Sequence, residues 1–397
     1  MIASIQNADI SNKTVLLRVD FNVPIDENGK ITDAKRIRET LPTINYLLSK
    51  NAKIVIMSHF GRPKGTKNVK YSLKPVADYI STIIAVPTIF INDCIGEQVQ
   101  KAIADSPSGS ITILENVRFY KEEEENDTGF AEQLSKNGDV YINDAFGAAH
   151  RAHASTVGIA AFFPNNRFAG ILMEKELTIL KLVLENPKKP FVAVIGGSKI
   201  SGKIDVIENL LQQCDSIIVG GGMMFTFLRS MGYNTGTSLV EEDKIELASE
   251  LIQKAKDNNV SLVLPLDVRT NSEFSNNRTA EIYDCTSIPE GQMGLDIGPK
   301  TEKLFSSIIK EAGTVLWNGP MGVFEFSHYE YGTKSIAEAI VLATKNGALT
   351  VIGGGDSAAA IHKFGLEKEV THVSTGGGAT LEYLEGKELP GVAALSD

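Results

Sequence analysis

Short runs of apolar, strand-forming residues alternate with longer amphipathic segments along most of the chain. In the first half the short runs include TVLLRV, KIVIMS, ITILENV and DVYIND, and the longer segments include AKRIRETLPTINYLLSK and LKPVADYISTII. Strands that alternate with helices in this way are typical of βα units and of a mostly parallel sheet. The first half therefore predicts a doubly wound α/β domain.

The alternation breaks near Phe163 and restarts after Pro190 with runs such as FVAVIGG, SIIVGGG, TVLWNGP and LTVIGGG. Residues 169–185 have apolar positions at mixed helical spacing and end before Pro187, so they predict a linking helix. Residues 268–298 are expected to be irregular. The predicted fold class is α/β, with two doubly wound (Rossmann-like) parallel-sheet domains joined by a hinge helix, and 397 residues suffice for two cores.

Composition narrows the classes of function. The chain is 43% hydrophobic and 22% charged with a net charge of −10, which argues against a broad surface for nucleic acid or membrane. Its three cysteines are far apart and in no metal-like spacing, which fits a reducing compartment. The N-terminal residues lack the pattern of a signal peptide, and no apolar run is long enough to span a bilayer. We therefore expect a cytoplasmic protein whose anionic ligands need a local basic cluster.

Residues 349–360, LTVIGGGDSAAA, predict a strand, a glycine turn and a helix start. The first N–H groups of such a helix are unpaired and lie at the positive end of its dipole, so they attract phosphate. Asp356 at the same turn offers a hard oxygen ligand for the Mg²⁺ that a nucleotide carries. The alternative is an ordinary βα turn with an aspartate cap.

Charged and amide side chains, most of them basic, follow successive predicted strands of the first half. These residues are Asp20, Asn22, Arg36, His59, Arg62, Arg118, His150, Arg151 and His153. Arginine presents a fixed fork of donors that matches the oxygens of carboxylates and phosphates. Such a set at one edge of a sheet predicts a pocket for an acidic ligand, although any single arginine is better explained as a solvated or salt-bridged surface residue.

The segment VAVIGGSKISGKI matches a nucleotide-binding P-loop at Gly197, Gly202 and Lys203. The next residue is Ile204, which lacks the hydroxyl that would bind Mg²⁺, so the match is broken where the chemistry needs it. Lys199 and Lys203 are four residues apart, and on a helical turn they would share a face with an anion between them. The alternative is a solvated lysine pair.

Two further glycine motifs have more than one interpretation. Residues 353–358 fit the G-x-G-x-x-A variant of a dinucleotide fingerprint, but the acidic ribose ligand expected near Val373 is missing. The segment WNGPMGVFEF contains the only tryptophan, Trp317, and Glu325. This loop is a candidate to wrap a nucleoside, with Glu325 receiving ribose hydroxyls, or it is a structural turn.

Taken together, these motifs resemble phosphoglycerate kinases of the bacterial type over essentially the full length. The matching segments are RVDFNVP, SHFGRP, LENVRF, DAFGAAHRAHAS, GGSKISGKI, GGGMMFTF, WNGPMGVFEF, GGGDSAA and STGGGA. The resemblance implies reversible phosphoryl transfer between 1,3-bisphosphoglycerate and ADP in glycolysis, with Mg²⁺ as cofactor and a monomeric, hinge-bending enzyme. The chain departs from the residues common in that family at three positions, with Phe60 in place of leucine and with Ala148 and Ser357 in place of threonine. Each replacement keeps the size class of the side chain or its hydroxyl group.

The resemblance also assigns domains and site residues. It implies an N-terminal 3-phosphoglycerate-binding domain at 1–168, completed by 384–397, an interdomain helix at 169–185 and a C-terminal nucleotide-binding domain at 186–383. The implied substrate ligands are Asp20, Phe21, Asn22, Arg36, His59, Phe60, Gly61, Arg62, Arg118 and Arg151. The implied nucleotide ligands are Lys199, Lys203, Gly221, Asn318, Pro320, Glu325, Gly353, Gly354, Gly355, Asp356 and Ser357, with Asp356 on the metal. The implied catalytic residues are Arg36, Lys199, Gly355 and Gly378.

Two other classes of function stay open at this point. A P-loop NTPase would hydrolyse ATP to drive a partner, and Ile204 argues against it. A binding or scaffold protein with the same fold would hold nucleotide and transfer nothing.

Overall fold

The computed structural model describes residues 2–396, which form two compact units. The first unit runs to Thr178 and takes up the chain again from Glu388, and the second unit is Ile179–Lys387. The division falls inside the helix that the sequence predicts as a linker. The bounds and ligands of the two predicted domains, and the role of that helix as a hinge, stay predictions.

The first unit is built on a parallel sheet. Its strands are β1 (Thr14–Arg18), β2 (Lys53–Met57), β3 (Thr88–Ile91), β4 (Ile111–Leu114), β5 (Val140–Asn143) and β6 (Arg167–Ala169). They lie in the order β3-β4-β2-β1-β5-β6, and every pairing is parallel. The chain moves outward from β1 in both directions, so ligands are expected where the strand order reverses, beyond the carboxyl ends of β1 and β5.

Amphipathic helices connect these strands. They are α1 (Lys35–Ser49), α2 (Lys74–Ile83), α3 (Glu97–Asp105), α4 (Lys121–Glu124), α5 (Thr128–Ser135) and α6 (Ile171–Glu185). In α1, Ile37, Ile44 and Leu47 recur at helical spacing and are fully buried with the apolar side chains of β1 and β2. Helix α6 begins two residues later than the sequence predicts, where Oδ1 of Asp144 accepts the N–H of Met173 at 3.0 Å.

The second unit repeats the α/β pattern. Its strands are β7 (Phe191–Ile195), β8 (Ser216–Val219), β9 (Ser261–Val263), β10 (Asp267–Asn271), β11 (Glu281–Asp284), β12 (Met293–Ile297), β13 (Thr314–Asn318), β14 (Leu349–Gly353) and β15 (His372–Val373). Its helices are α7 (Ile204–Leu210), α8 (Met224–Ser230), α9 (Ile245–Asp257), α10 (Pro299–Lys310), α11 (Tyr331–Lys345), α12 (Gly355–Lys363) and α13 (Gly378–Leu384). A parallel sheet runs β15-β14-β13-β7-β8-β9, which confirms the predicted α/β class for both units.

The prediction that 268–298 is irregular is wrong. Strands β10, β11 and β12 form an antiparallel sheet in the order β11-β10-β12. These strands carry polar residues such as Thr270 and Asn271 on buried positions, and β11 is largely exposed. Pairing between antiparallel strands does not need an apolar pattern on both faces, so the sequence gives little sign of them.

The last described residues belong to the first unit. Helix α14 (Pro390–Ala393) is anchored there, because the N–H of Gly391 donates to the carbonyl of Ala149 at 2.8 Å. Nη2 of Arg167 donates to the carbonyl of Ser396 at 2.7 Å. Residues 384–387 stay with the second unit. Across residues 2–396, the structure contains no helix with the length and apolar character to cross a membrane.

Candidate active site

The loops that follow β1 and β2 in the first unit are tied together by hydrogen bonds. Nη1 of Arg36, at the start of α1, donates to Oδ1 of Asp20 and to the carbonyl of Asn22, both at 3.0 Å. The N–H of Gly61 donates to Oδ1 of Asn22 at 2.9 Å. Nη1 of Arg118 donates to the carbonyl of Gly61 at 2.9 Å. The structure thus brings five of the predicted substrate residues to one edge of the sheet.

Gly61 is confined by its surroundings. It has φ +59°, and a Cβ added there would lie 2.4 Å from Cδ1 of Tyr71. Beside it, Asn116 accepts the N–H of Phe60 at 3.1 Å and donates to the carbonyl of Phe60 at 2.6 Å. A larger residue at Gly61 would displace the tyrosine ring and the backbone that carries His59.

The other predicted substrate residues differ in how their side chains are placed. Phe21 and Phe60 are buried, so they offer backbone groups rather than side chains to a ligand. Nε of Arg151 donates to Nε2 of His150 at 3.2 Å. Arg62 is exposed, and within residues 2–396 its side chain has no hydrogen-bond or ion-pair partner.

The electrostatics of this edge favour an anion. Burial, followed by the charges of Arg18, Arg118 and Arg36, lowers the pKa of His59 well below its ordinary value. Burial lowers the pKa of Arg118, and Glu124 at 3.2 Å from its Nε opposes that shift. The imidazole is therefore neutral, and the guanidinium groups supply the positive charge.

A buried network behind this edge was missed at the sequence level. Arg18 at the end of β1 is fully buried, and its Nε donates to Oγ of Ser155 at 2.7 Å. Nη2 of Arg18 lies 3.9 Å from Oε1 of Glu123, which is also fully buried and accepts the hydroxyl of Ser155 at 2.6 Å. Burial raises the pKa of Glu123. The signal available in the sequence was an arginine inside an otherwise apolar strand, TVLLRV.

In the second unit, three glycine loops pack backbone against backbone. A Cβ added to Gly221 would lie 2.5 Å from the carbonyl oxygen of Gly197, and one added to Gly319 would lie 2.2 Å from that of Gly196. The N–H of Gly221 donates to the carbonyl of Met321 at 3.0 Å. Glycine is needed here because the backbones of the loops approach one another closely. The loops therefore form a surface that consists of main-chain atoms.

A small cavity of about 250 Å³ is lined in part by these glycine loops. Its lining residues are Gly196, Gly197, Lys203, Asn318, Gly319, Gly354, Gly355, Asp356, Ser357, Gly377, Gly378 and Leu381. Nζ of Lys203 donates to Oδ1 of Asn318, and burial lowers the pKa of Lys203 although Asp356 opposes the shift. Within residues 2–396, the buried Nδ2 of Asn318 has no hydrogen-bond partner. The unpaired amide donor of Asn318, the half-buried ammonium group of Lys203 and the start of α12 suit the oxygens of phosphates.

A larger cavity of about 530 Å³ also includes Gly197 and Asp356 in its lining. Its lining is mainly apolar and includes Met224, Phe225, Leu239, Phe274, Leu295 and Val323. Pockets of this size and character hold drug-sized organic ligands. No sequence pattern marks these side chains as a site, because apolar residues beside strands indicate a core.

The predicted nucleotide residues divide between the two cavities. Gly221, Pro320 and Glu325 line the large one, and Asp356 lines both. Lys203, Asn318, Gly354, Gly355, Ser357 and the predicted catalytic Gly378 line the small one. Gly353 is buried at the end of β14, with Nδ2 of Asn318 at 3.2 Å from its added Cβ. Lys199 is exposed on the loop after β7, and within residues 2–396 its side chain has no partner.

One sequence-level interpretation needs correction. Lys199 and Lys203 do not share a helical face, because both precede α7, which begins at Ile204. Trp317 is fully buried in β13, where its Nε1–H donates to the carbonyl of Gly319 at 2.8 Å, so it belongs to the core. The hydroxyl of Ser357 accepts the N–H of Gly319 at 2.6 Å, and Ser357 as a nucleotide ligand stays a prediction.

Asp356 is the carboxylate that the two cavities share. In the part of the chain that the structure describes, no group of three or more His, Cys, Asp or Glu residues is arranged to hold a metal ion. Mg²⁺ at nucleotide sites commonly takes one or two protein carboxylates together with phosphate oxygens. One exposed carboxylate beside a phosphate-sized cavity fits that donor set.

Comparisons with known proteins agree over the whole chain. The family model described as phosphoglycerate kinase matches residues 5–387. The chain is 52% identical over 396 residues to a phosphoglycerate kinase of a Nostoc species, covering 100% of this chain and 98% of the relative. It is 51% identical over 396 residues to the cytosolic phosphoglycerate kinase 3 of Arabidopsis thaliana, with the same coverage.

Solved structures give the same result. The structure of phosphoglycerate kinase from Coxiella burnetii matches with a TM-score of 0.89 at 41% identity, covering 100% of this chain and 99% of that one. That from Pyrococcus horikoshii matches with a TM-score of 0.82 at 32% identity, covering 99% and 98%.

Proposed function

The chain belongs to the phosphoglycerate kinase family, and from that membership we propose which of its residues hold the two substrates. It is a kinase of glycolysis that transfers a phosphoryl group reversibly between 1,3-bisphosphoglycerate and ADP, giving 3-phosphoglycerate and ATP. The two units offer chemically different sites, one basic and one lined by glycine and apolar groups. The proposal assigns one substrate to each.

The phosphoglycerate is bound at the basic edge of the first unit. Arg36, Arg62, Arg118 and Arg151 supply positive charge for its carboxylate and phosphate, and neutral His59 supplies a hydrogen-bond donor. The backbone of Asp20–Asn22 and of Phe60–Gly61 shapes the pocket through the bonds that join Asn22, Gly61 and Arg118.

The nucleotide is bound in the second unit across the two cavities. The base enters the apolar cavity beside Gly221 and Pro320, and Glu325 at its lining receives the ribose hydroxyls. The phosphates lie over the small cavity, where Lys203, Asn318 and the N–H groups at the start of α12 face them. The observation that carries this proposal is the adjacency of an apolar cavity and a glycine-lined cavity that share Gly197 and Asp356.

The mechanism we propose is direct, in-line transfer. Phosphoryl transfer depends on positioning and on stabilising charge more than on acid–base chemistry. Lys199 and Arg36 contact the equatorial oxygens of the transferring group, and the backbone N–H groups of Gly355 and Gly378 support the phosphates. Mg²⁺ carried by the nucleotide neutralises phosphate charge when it is bound, and Asp356 is the residue that would hold it.

Two substrates held by two units must meet, and an acyl phosphate must be kept from water during transfer. The proposal therefore requires hinge-bending closure during turnover, with helix α6 and its flanking loops as the hinge. Small-angle scattering is expected to show compaction when ADP and 3-phosphoglycerate are both bound. An unchanged radius of gyration would contradict closure.

We also propose that the enzyme acts as a cytoplasmic monomer. Its three cysteines, Cys94, Cys214 and Cys285, are unpaired and buried, which fits a reducing compartment. Light scattering is expected to give the mass of a single chain at micromolar concentration, and a dimer mass would contradict the monomer.

The test of the proposed function is turnover with defined substrates. Purified protein, ATP, Mg²⁺ and 3-phosphoglycerate are coupled to a dehydrogenase that consumes NADH as it reduces 1,3-bisphosphoglycerate. We expect NADH loss that depends on 3-phosphoglycerate, and no release of ADP from ATP alone. Hydrolysis of ATP without phosphoglycerate would support an NTPase, whereas binding without turnover would support a scaffold.

A further inference from the structure

The segment between β7 and α7 carries both lysines of the proposed phosphate site. At its centre, the backbone N–H groups of Ile200 and Ser201 both donate to Oε2 of Glu241, at 2.6 and 3.2 Å. Successive N–H groups that converge on one point form a small anion site. The chain's own carboxylate fills that site, in a segment whose sequence is close to a P-loop.

Glu241 is itself held in place. Its backbone N–H donates to Oγ1 of Thr226 at 3.1 Å, and Thr226 lies on α8 with 1% of its surface exposed. On the other side of the contact, Ile200 is fully buried, and its carbonyl accepts the N–H of Lys203 at 2.8 Å. The carboxylate therefore joins a buried helix position to the middle of the lysine segment.

We propose that Glu241 is a positioning residue for Lys199 and Lys203. The proposal rests on the proposed function, in which these two lysines bind the phosphates of the substrates. Lys199 immediately precedes Ile200 and has an exposed side chain, so the position of its backbone depends on how the turn is held. Lys203 ends the same turn and donates to Oδ1 of Asn318.

The same contact explains why the segment does not act as a P-loop. A P-loop cradles phosphates with its own backbone N–H groups. Here the N–H groups of Ile200 and Ser201 already donate to the carboxylate of Glu241. Phosphates therefore bind to the lysine side chains and to the N–H groups at the start of α12. Removal of the carboxylate frees two donors and releases the turn between the lysines.

The kinetic test compares substitutions at Glu241 with one at its neighbour. Glu241→Ala and Glu241→Asp, whose carboxylate is one methylene too short, are expected to lower kcat/KM for ATP about tenfold or more. Glu241→Gln keeps an acceptor oxygen and is expected to retain most of the activity. The KM for 3-phosphoglycerate is expected to stay unchanged in all three. Glu242→Ala is the control, because Glu242 is exposed and has no side-chain partner within residues 2–396.

Amide hydrogen exchange gives a second measurement that is independent of turnover. The amides of Ile200 and Ser201 are expected to exchange faster in Glu241→Ala and Glu241→Asp, and to stay protected in Glu241→Gln and Glu242→Ala. Protection of both amides in Glu241→Asp would overturn the proposal, as would ATP kinetics equal to those of Glu242→Ala. Failure of the wild-type protein to phosphorylate 3-phosphoglycerate would instead defeat the proposed function, and the exchange data would still decide whether Glu241 holds the turn.

Discussion

Nη2 of Arg18 lies 3.3 Å from Nδ1 of His59, and both side chains are buried. Because a guanidinium group only donates hydrogen bonds, Nδ1 is the acceptor and a neutral imidazole carries its proton on Nε2. Nε2 lies 3.9 Å from Oδ1 of Asp20, on the side of the proposed phosphoglycerate site. The buried arginine thus selects the tautomer that carries its N–H on the side of the proposed site.

The first prediction is that His59 stays neutral through the physiological range of pH. Burial and the neighbouring arginines lower the pKa of His59, and burial lowers that of His153 to about 3. In NMR titrations of ¹⁵N-histidine-labelled protein, we expect both rings to stay neutral down to about pH 5.5, with His59 protonated at Nε2. Titration of either ring near 6.5 in the folded protein would contradict this, and urea-unfolded protein is the control.

The second prediction concerns Asp144, which follows β5 and accepts an N–H from the first turn of α6. Burial raises its pKa to about 6, whereas an unfolded aspartate titrates near 3.9. Between these values the folded state keeps a proton that the unfolded state has lost, so this contribution to stability is present at low pH and is lost as the pH rises. Relative to Asp144→Asn, the wild-type free energy of unfolding should fall by about 2 to 3 kcal/mol between pH 4 and pH 7.

Urea unfolding of both proteins across this pH range measures the difference. Other titrating groups are common to the two proteins, so their contributions cancel in the comparison. Parallel stability profiles would show that Asp144 titrates normally in the folded state. Glu242→Gln, an exposed carboxylate exchanged in the same way, is expected to run parallel to the wild type.

The third prediction concerns Arg36. Its Nη1 is held by Asp20 and Asn22, which fixes the guanidinium plane, while 35% of the side chain stays exposed to a ligand. Loss of one preorganised charge contact in a transition state typically lowers kcat by about 10² to 10³, and we expect that loss for Arg36→Ala. Arg36→Lys, which keeps the charge without the fork, should be intermediate. Arg38→Ala, an exposed arginine on the same helix, is the matched control, and equal kcat values for the two alanine variants would remove Arg36 from the role.

Much of the fold could be predicted because it depends on periodicity. Strand β7 is a continuous apolar run, and the glycine turns after β7 and β14 indicate close backbone approach. The antiparallel strands β10–β12 could not be predicted, since they carry polar residues at buried positions, as in β10, or are largely exposed, as in β11. Helix α6 starts later than predicted because Ala169 ends strand β6, and the N–H of Met173 in its first turn donates to Asp144, a long-range contact that no local pattern reveals.

The candidate site could be predicted where chemistry and position coincide in one motif. Arg36, His59 and Asp356 follow predicted strands or begin predicted helices. Polar and charged groups at these positions are typical of ligand sites in α/β sheets. Arg18 and Glu123 were missed because a buried ion pair joins residues far apart in the chain. Phe225 and Leu295 were missed because an apolar cavity wall and an apolar core look the same in sequence.

The steady-state rate of Lys199→Ala, in the coupled assay with ATP, Mg²⁺ and 3-phosphoglycerate, tests the proposed transfer mechanism at its reacting group. Lys199 is exposed and without a side-chain partner within residues 2–396, so its removal should leave the fold intact. We expect kcat to fall by about 10² to 10³ relative to wild type, with an unchanged circular dichroism spectrum and melting temperature. Lys256→Ala, an exposed lysine on α9, should match the wild type. A wild-type kcat in the folded Lys199→Ala variant would contradict the assignment of the transferring phosphoryl group to this lysine.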